Sequence, residues 1–209
     1  SGGAGLAFIN LKDKVIQAKL VYYGPGRCGK TTNLEYIYDK CRLQINSEMV
    51  TVKTQGDRTL FFDFFPFDMG KISGYDVKIQ LYTVPGQVKY NSTRRLVLKG
   101  VDGVVFVADS AADRRNKNII SIKNLEENLK LYNKNIRDIP LVIQYNKRDL
   151  AKEGIEILDV ETLENDLNSE LKVPSFEASA VEGDNVILTL KKIIYDTMSS
   201  LEKQLKQEP

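Results

Sequence analysis

The 209-residue sequence predicts an α/β fold, a mostly parallel central sheet flanked by helices on both faces. Three observations carry that expectation. Short apolar runs alternate with segments of helical spacing. Two of these runs, Val104 to Ala108 and Leu141 to Tyr145, are apolar almost without interruption, as parallel strands covered on both faces must be. A glycine-rich loop stands between the first strand and the first helix.

Taken in order, Val15 to Tyr23 is a β-branched and aromatic run that stops at Gly24, which predicts a strand. Thr31 to Cys41 has helical spacing, with Leu34, Ile37 and Tyr38 on one side. Leu60 to Phe65 and Val77 to Thr83 are further strand-like runs. The breaker-rich stretch from Pro66 to Gly74 between them predicts a hairpin. Ile122, Leu125, Leu129 and Tyr132 form one helical stripe, and Ile187, Leu190, Ile194, Met198, Leu201 and Leu205 form another. Residues 1–6, reading SGGAGL, are expected to be an added remnant or a flexible start, which leaves 7–209 as one domain. That length suits one sizeable core and is short for two ordinary enzyme domains.

Composition narrows the function classes. Thirty Lys and Arg against 28 Asp and Glu leave a net charge of only +2, which argues for neither nucleic acid nor an acidic membrane. No apolar run approaches the ~18 residues of a spanning helix. No secretory signal, prenylation cysteine or myristoylation pattern is legible, so the expectation is a cytoplasmic protein without a direct membrane anchor. With no histidine and two cysteines, Cys28 and Cys41, a zinc site has too few ligands. Cys28 lies within a glycine-rich loop next to a helix start, where a thiol can become redox-sensitive, although a passive loop residue is the plainer reading. Arg94 with Arg95 and Arg114 with Arg115 read as solvated basic pairs.

Gly24-Pro25-Gly26-Arg27-Cys28-Gly29-Lys30-Thr31 has the spacing G-x-x-x-x-G-K-[ST] of a phosphate-binding P-loop, in the strand–loop–helix context that the mechanism needs. Glycines let successive N–H groups turn inward, and the helix start adds its positive dipole end. Gly24, Gly26, Arg27, Cys28 and Gly29 therefore line the expected phosphate cradle. Lys30 should reach the β- and γ-phosphates, Thr31 offers a hydroxyl to Mg²⁺, and Thr32 follows on the same helical turn. A second motif, Asn146-Lys147-Arg148-Asp149, directly follows the strand ending at Tyr145, at the same sheet edge. The Asp149 carboxylate can accept from N1–H and the 2-amino group of guanine, whereas adenine would leave it unpaired. Sites built on such pairings reject the wrong base by roughly 10⁴ to 10⁵, which favours GTP and GDP over ATP. Asn146 would brace the loop, the Lys147 stem would cover the ring, and Ser179-Ala180 suits a backbone donor to guanine O6.

With these motifs the chain resembles the small Ras-like GTPases, and most closely the MglA-like bacterial GTPases of cell polarity and gliding motility. The likeness runs through Phe8-Ile9-Asn10, Val21 to Gly26, Asp57 to Phe64, Leu81 to Gln87, Gly100 to Ser110 and Ile143 to Leu150. It implies a single G domain that switches between GTP and GDP forms, with segments near 42–59 and 84–95 rearranging. Thr59 would meet Mg²⁺ and the γ-phosphate, Gly86 would sense the γ-phosphate by its amide, and Gln87 would orient the attacking water. Arg58 would act as an intrinsic arginine finger. The resemblance further implies an MglB-like Roadblock-type dimer that stimulates hydrolysis, and recruitment to a cell pole by partners. Thr83 departs from the aspartate most Ras-like proteins carry there, though the MglA-like group shares it. A threonine can still bond a metal-bound water but brings no charge, so Mg²⁺ would be held less tightly. The aromatic segment Phe61, Phe62, Phe64, Phe65 and Phe67 is expected to fill core and hairpin, or else to dock a partner. A GTP-stabilised scaffold with little or no hydrolysis is the alternative; retained Arg58 and Gln87 weigh against it.

Overall fold

The computed structural model describes residues 8–10, 14–45, 48–54, 57–64 and 71–207. Their elements run β1 (Phe8–Asn10), β2 (Val15–Tyr23), α1 (Lys30–Lys40), β3 (Val50–Thr54), β4 (Asp57–Phe64), β5 (Asp76–Thr83) and α2 (Asn91–Leu98). They continue with β6 (Gly103–Asp109), α3 (Arg115–Lys130), β7 (Leu141–Asn146), α4 (Val160–Leu167), β8 (Ser175–Glu177) and α5 (Val186–Gln207). In the strand order β3-β4-β5-β2-β6-β7-β8, β2 lies between β5 and β6 and runs parallel to both. The β6–β7 and β7–β8 pairs are also parallel, and all seven residues of β6 are buried, which accounts for its unbroken hydrophobicity. β1 pairs antiparallel with the start of β2.

The predicted hairpin is present as the antiparallel pair β4–β5, in the register Phe61↔Tyr82 through Phe64↔Ile79. Phe65, Pro66 and Phe67 of the expected aromatic and turn segment, and the start at residues 1–6, lie outside the described residues. Phe62 and Phe64 fill the core, and Phe61 stacks on Tyr82 at 4.4 Å between ring centroids. One face packs Leu20, Tyr22, Leu60 and Phe62 against Leu34 and Ile37 of α1 and Leu190, Ile194 and Met198 of α5. The other packs Tyr23, Val104 and Phe106 against Leu98 of α2, Leu125 and Leu129 of α3 and Leu163 of α4. Tyr132 lies just beyond the end of α3, partly buried against that second cluster.

Three elements carry little sequence signal. Val50 and Val52 of β3 are 52% and 54% exposed on an edge strand, so no buried alternation marks it. The eight residues of α2 bury only Arg94 and Leu98, which is no apolar stripe. α4 is a two-turn helix capped by Asp159, whose carboxylate accepts from Thr162 N–H at 2.7 Å. No helix among the described residues is long and apolar enough to cross a membrane.

Candidate nucleotide-binding site

The glycine loop leaves β2 at Gly24 and enters α1 after Gly29, and both positions exclude a side chain. A Cβ on Gly24 would lie 2.2 Å from the Val107 carbonyl oxygen; one on Gly29, at φ +102°, would lie 2.1 Å from Asn146 Nδ2. Lys30 is 4% exposed, and its ammonium folds back on the loop, donating to Gly24 O at 3.0 Å and Pro25 O at 2.8 Å. Beside it opens a cavity of about 410 Å³, walled by Arg27 and Gly29 to Thr32, faced by Asp57 and Arg58 of β4, and ended by Lys147. Four cationic side chains against one carboxylate, beside the glycine loop, fit a polyphosphate. The Thr31 hydroxyl on the cavity wall is a hard oxygen donor of the kind that fits Mg²⁺. Cys28 does not fit the redox reading: it is fully buried, and that burial pushes its thiol above the ordinary range.

β7 delivers the second motif to the same edge. Asn146 Nδ2 donates to Cys28 O at 2.8 Å, and Asn146 Oδ1 accepts from Ala180 N–H at 2.9 Å. One buried amide thus ties the phosphate loop to the loop after β8. Ala180 N–H, the expected donor to guanine O6, is engaged on Asn146 here. Lys147 takes a left-handed backbone, φ +69°, and its ammonium lies 3.1 Å from Asp109 Oδ2 at the end of β6. Asp149 accepts from Ser179 Oγ at 2.9 Å, so the loop after β7 is joined to the loop after β8.

The expected switch residues are only partly assembled. Arg58 lies at the cavity but pairs with Glu35 of α1 at 3.1 Å, a half-exposed bridge of little weight. Gly86 is pressed onto the phosphate loop, since a Cβ there would fall 2.2 Å from Gly26 N. Its amide donates to Asp57 Oδ2 at 2.6 Å. Gln87 lies over Gly26 and opens on a separate cavity of about 320 Å³, so Arg58 and Gln87 do not share a cavity. The Thr59 hydroxyl is buried without a hydrogen-bond partner, and Thr59 is not among the residues lining the phosphate cavity with Thr31. Thr83 is fully buried, and its hydroxyl accepts from Leu60 N–H at 2.7 Å, which makes it a brace for β4.

The basic pairs divide. Arg95, Arg114 and Arg115 are partly or well exposed, Arg115 bridging to Asp166 at 2.7 Å. Arg94 corrects the solvated reading: it is 4% exposed and donates to Pro85 O at 3.0 Å and Gln87 O at 2.6 Å. Sequence reasoning also missed Asp57 and Asp109 as site residues. Asp57 directly precedes Arg58 and could have been found by its place in the quoted run; nothing local marks Asp109 or Arg94.

A model of the ADP-ribosylation factor family matches residues 6–197. The chain is 46% identical over 198 residues to the mutual gliding-motility protein MglA of Myxococcus xanthus (strain DK1622), covering 95% of this chain and 99% of that protein. It is 31% identical over 170 residues to the Ras-related protein Rab-11B of Dictyostelium discoideum, covering 80% of this chain and 68% of that one.

Proposed function

The chain belongs to the ADP-ribosylation factor family of Ras-like GTPases, as an MglA-like member, and we propose that it hydrolyses GTP as a slow, partner-stimulated switch. The observation that carries this reading is Asn146, whose one side chain joins the phosphate loop to the base-binding loops around a cationic cavity. Gly24 to Thr32, with Asn146, Lys147, Asp149, Ser179 and Ala180, would hold the nucleotide. Thr31 and, after β4 adjusts, Thr59 would hold Mg²⁺, which would supply neutralisation of charge on the β- and γ-oxygens. Lys30 would exchange the Gly24 and Pro25 carbonyls for phosphate oxygens, and Gly86 N–H would exchange Asp57 for the γ-phosphate. Gln87 would then hold the water that attacks phosphorus as the bond to GDP breaks. Arg58, leaving Glu35, would neutralise the γ-oxygens.

The separation of Arg58 from Gln87 supports slow intrinsic turnover, because a partner must bring both to one γ-phosphate. A Roadblock-type dimer is the expected partner. Motility or polarity control, exerted in the cytoplasm and at a pole to which partners recruit the switch, follows from the family resemblance and the name of the gliding-motility relative. Loss of the γ-phosphate would release Thr59 and Gly86 and let segments 42–59 and 84–95 rearrange.

The test is single-turnover GTP hydrolysis with Mg²⁺, with and without a Roadblock-type partner from the same genome. Arg58→Ala and Gln87→Ala should each lose about 10³-fold of the stimulated rate while still binding GTP. A wild type that binds GTP tightly and never hydrolyses it would establish the scaffold instead.

A further inference from the structure

α2 is held to the molecule by a buried arginine as well as by Leu98. Of its eight residues only Arg94 and Leu98 are buried, so a guanidinium occupies the place where a helix of this kind usually sets an apolar anchor. Burying a cation is costly unless its hydrogen bonds are well made. Here Nη1 donates to Pro85 O at 3.0 Å and to Gln87 O at 2.6 Å, the two carbonyls on either side of Gly86. Nε donates to Asn124 Oδ1 on α3 at 2.9 Å. Asn124 also accepts from the Tyr23 hydroxyl, one residue before the phosphate loop, and its Nδ2 donates to Asn91 Oδ1 at the start of α2 at 2.9 Å. Asn128, one turn further along α3, closes the network by donating to Tyr23 Oη at 3.1 Å and Asn91 Oδ1 at 2.9 Å.

We propose that Arg94 is a positioning residue: through the carbonyls of Pro85 and Gln87 it fixes the peptide around Gly86 against the phosphate loop, the place from which the Gly86 amide would meet a γ-phosphate. The inference rests on the GTP-switch reading and deepens it. One guanidinium nitrogen serves both carbonyls, so the segment between them cannot shift without losing two charge-assisted bonds at once. Asn124 carries both the arginine and Tyr23, so the reference for that placement is the strand end from which the phosphate loop springs. The same cleft, about 320 Å³, is lined by Gly26, Gln87, Arg94 and Asn124, which puts arginine, anchor and glutamine on one wall. GDP has no γ-phosphate to meet Gly86, so the clamp should matter for GTP and for hydrolysis while leaving GDP nearly untouched. An arginine that merely fastened α2 to α3 would affect both nucleotides alike.

The experiment uses the full chain with Mg²⁺ and measures GTP and GDP dissociation constants beside single-turnover hydrolysis. Arg94→Met should slow hydrolysis by about 10²-fold, the scale of a misplaced reacting group. It should also weaken GTP about tenfold more than GDP, as for one lost hydrogen bond. Arg94→Lys keeps the charge but cannot serve both carbonyls and Asn124 together; it should lose about tenfold in rate, and it carries the test if Arg94→Met does not fold. Equal weakening of GTP and GDP with unchanged hydrolysis from the bound state would overturn the clamp. A wild type that binds GTP but does not hydrolyse it would overturn the hydrolysis reading alone, because the GTP-to-GDP affinity ratio still decides the clamp.

Discussion

The amide of Gly86 donates to Asp57 Oδ2 over 2.6 Å, so the donor a γ-phosphate would need is already engaged by an anion of the chain itself. Asp57 Oδ1 meanwhile accepts from Arg58 N–H at 2.9 Å, which ties the carboxylate to the start of β4. GTP would therefore compete with Asp57 for one amide, whereas GDP would not. Hydrogen bonds to charged groups contribute about 1.5–3 kcal/mol, enough to shift an affinity at least tenfold. Replacing Asp57 by Ala should raise affinity for GTP relative to GDP by about tenfold, read by competition of both nucleotides against a fluorescent GDP. An unchanged ratio would mean that the contact gives way without cost. Lys30 presents the complementary case, its ammonium satisfied by two loop carbonyls until phosphate oxygens replace them.

Between elements, Thr83 decides how β4 meets β5. The β4–β5 ladder pairs Phe61 with Tyr82, and one residue further the Thr83 hydroxyl, not a carbonyl, takes the Leu60 N–H. Thr83→Val keeps the shape and leaves that buried donor unpaired, which should cost about 1–3 kcal/mol in denaturant unfolding. Amide exchange should quicken at Leu60 and in the neighbouring part of β4, where Asp57, Arg58 and Thr59 lie; protection equal to wild type would remove this role. On the same α1/α5 face, Gln144 of β7 exchanges two hydrogen bonds with Asn33 of α1 and donates to Thr189 of α5, joining three elements by one amide. β2, β6, β7, α1 and α5 were legible in sequence because each buries a continuous run or stripe. β3 and α2 were not: the first is an exposed edge, and the second is anchored by a cation whose acceptors lie on other segments.

Across the whole molecule, the order β2-β6-β7 places the phosphate loop after the first strand and the base motif after the third, with Asp109 at the end of the middle strand holding Lys147. A ligand that closes over this edge stabilises the entire fold by mass action. GDP or GTP at about a thousandfold above its dissociation constant should add ~4 kcal/mol, and therefore raise the melting midpoint by roughly 10 °C, while ATP at equal concentration leaves it unmoved. Equal shifts with ATP would show that Asp149 does not select the base. The sequence by itself determined the α/β class, the central strands and the two nucleotide motifs, because periodicity and loop chemistry are local properties of neighbouring residues. Only the tertiary structure decided that Arg94 is buried, that Thr83 braces a strand, that Asp57 holds Gly86, and that Arg58 and Gln87 open on different cavities. A polar side chain's role depends on which donors and acceptors distant segments bring to it, and that pairing exists only once the sheet and its helices have packed.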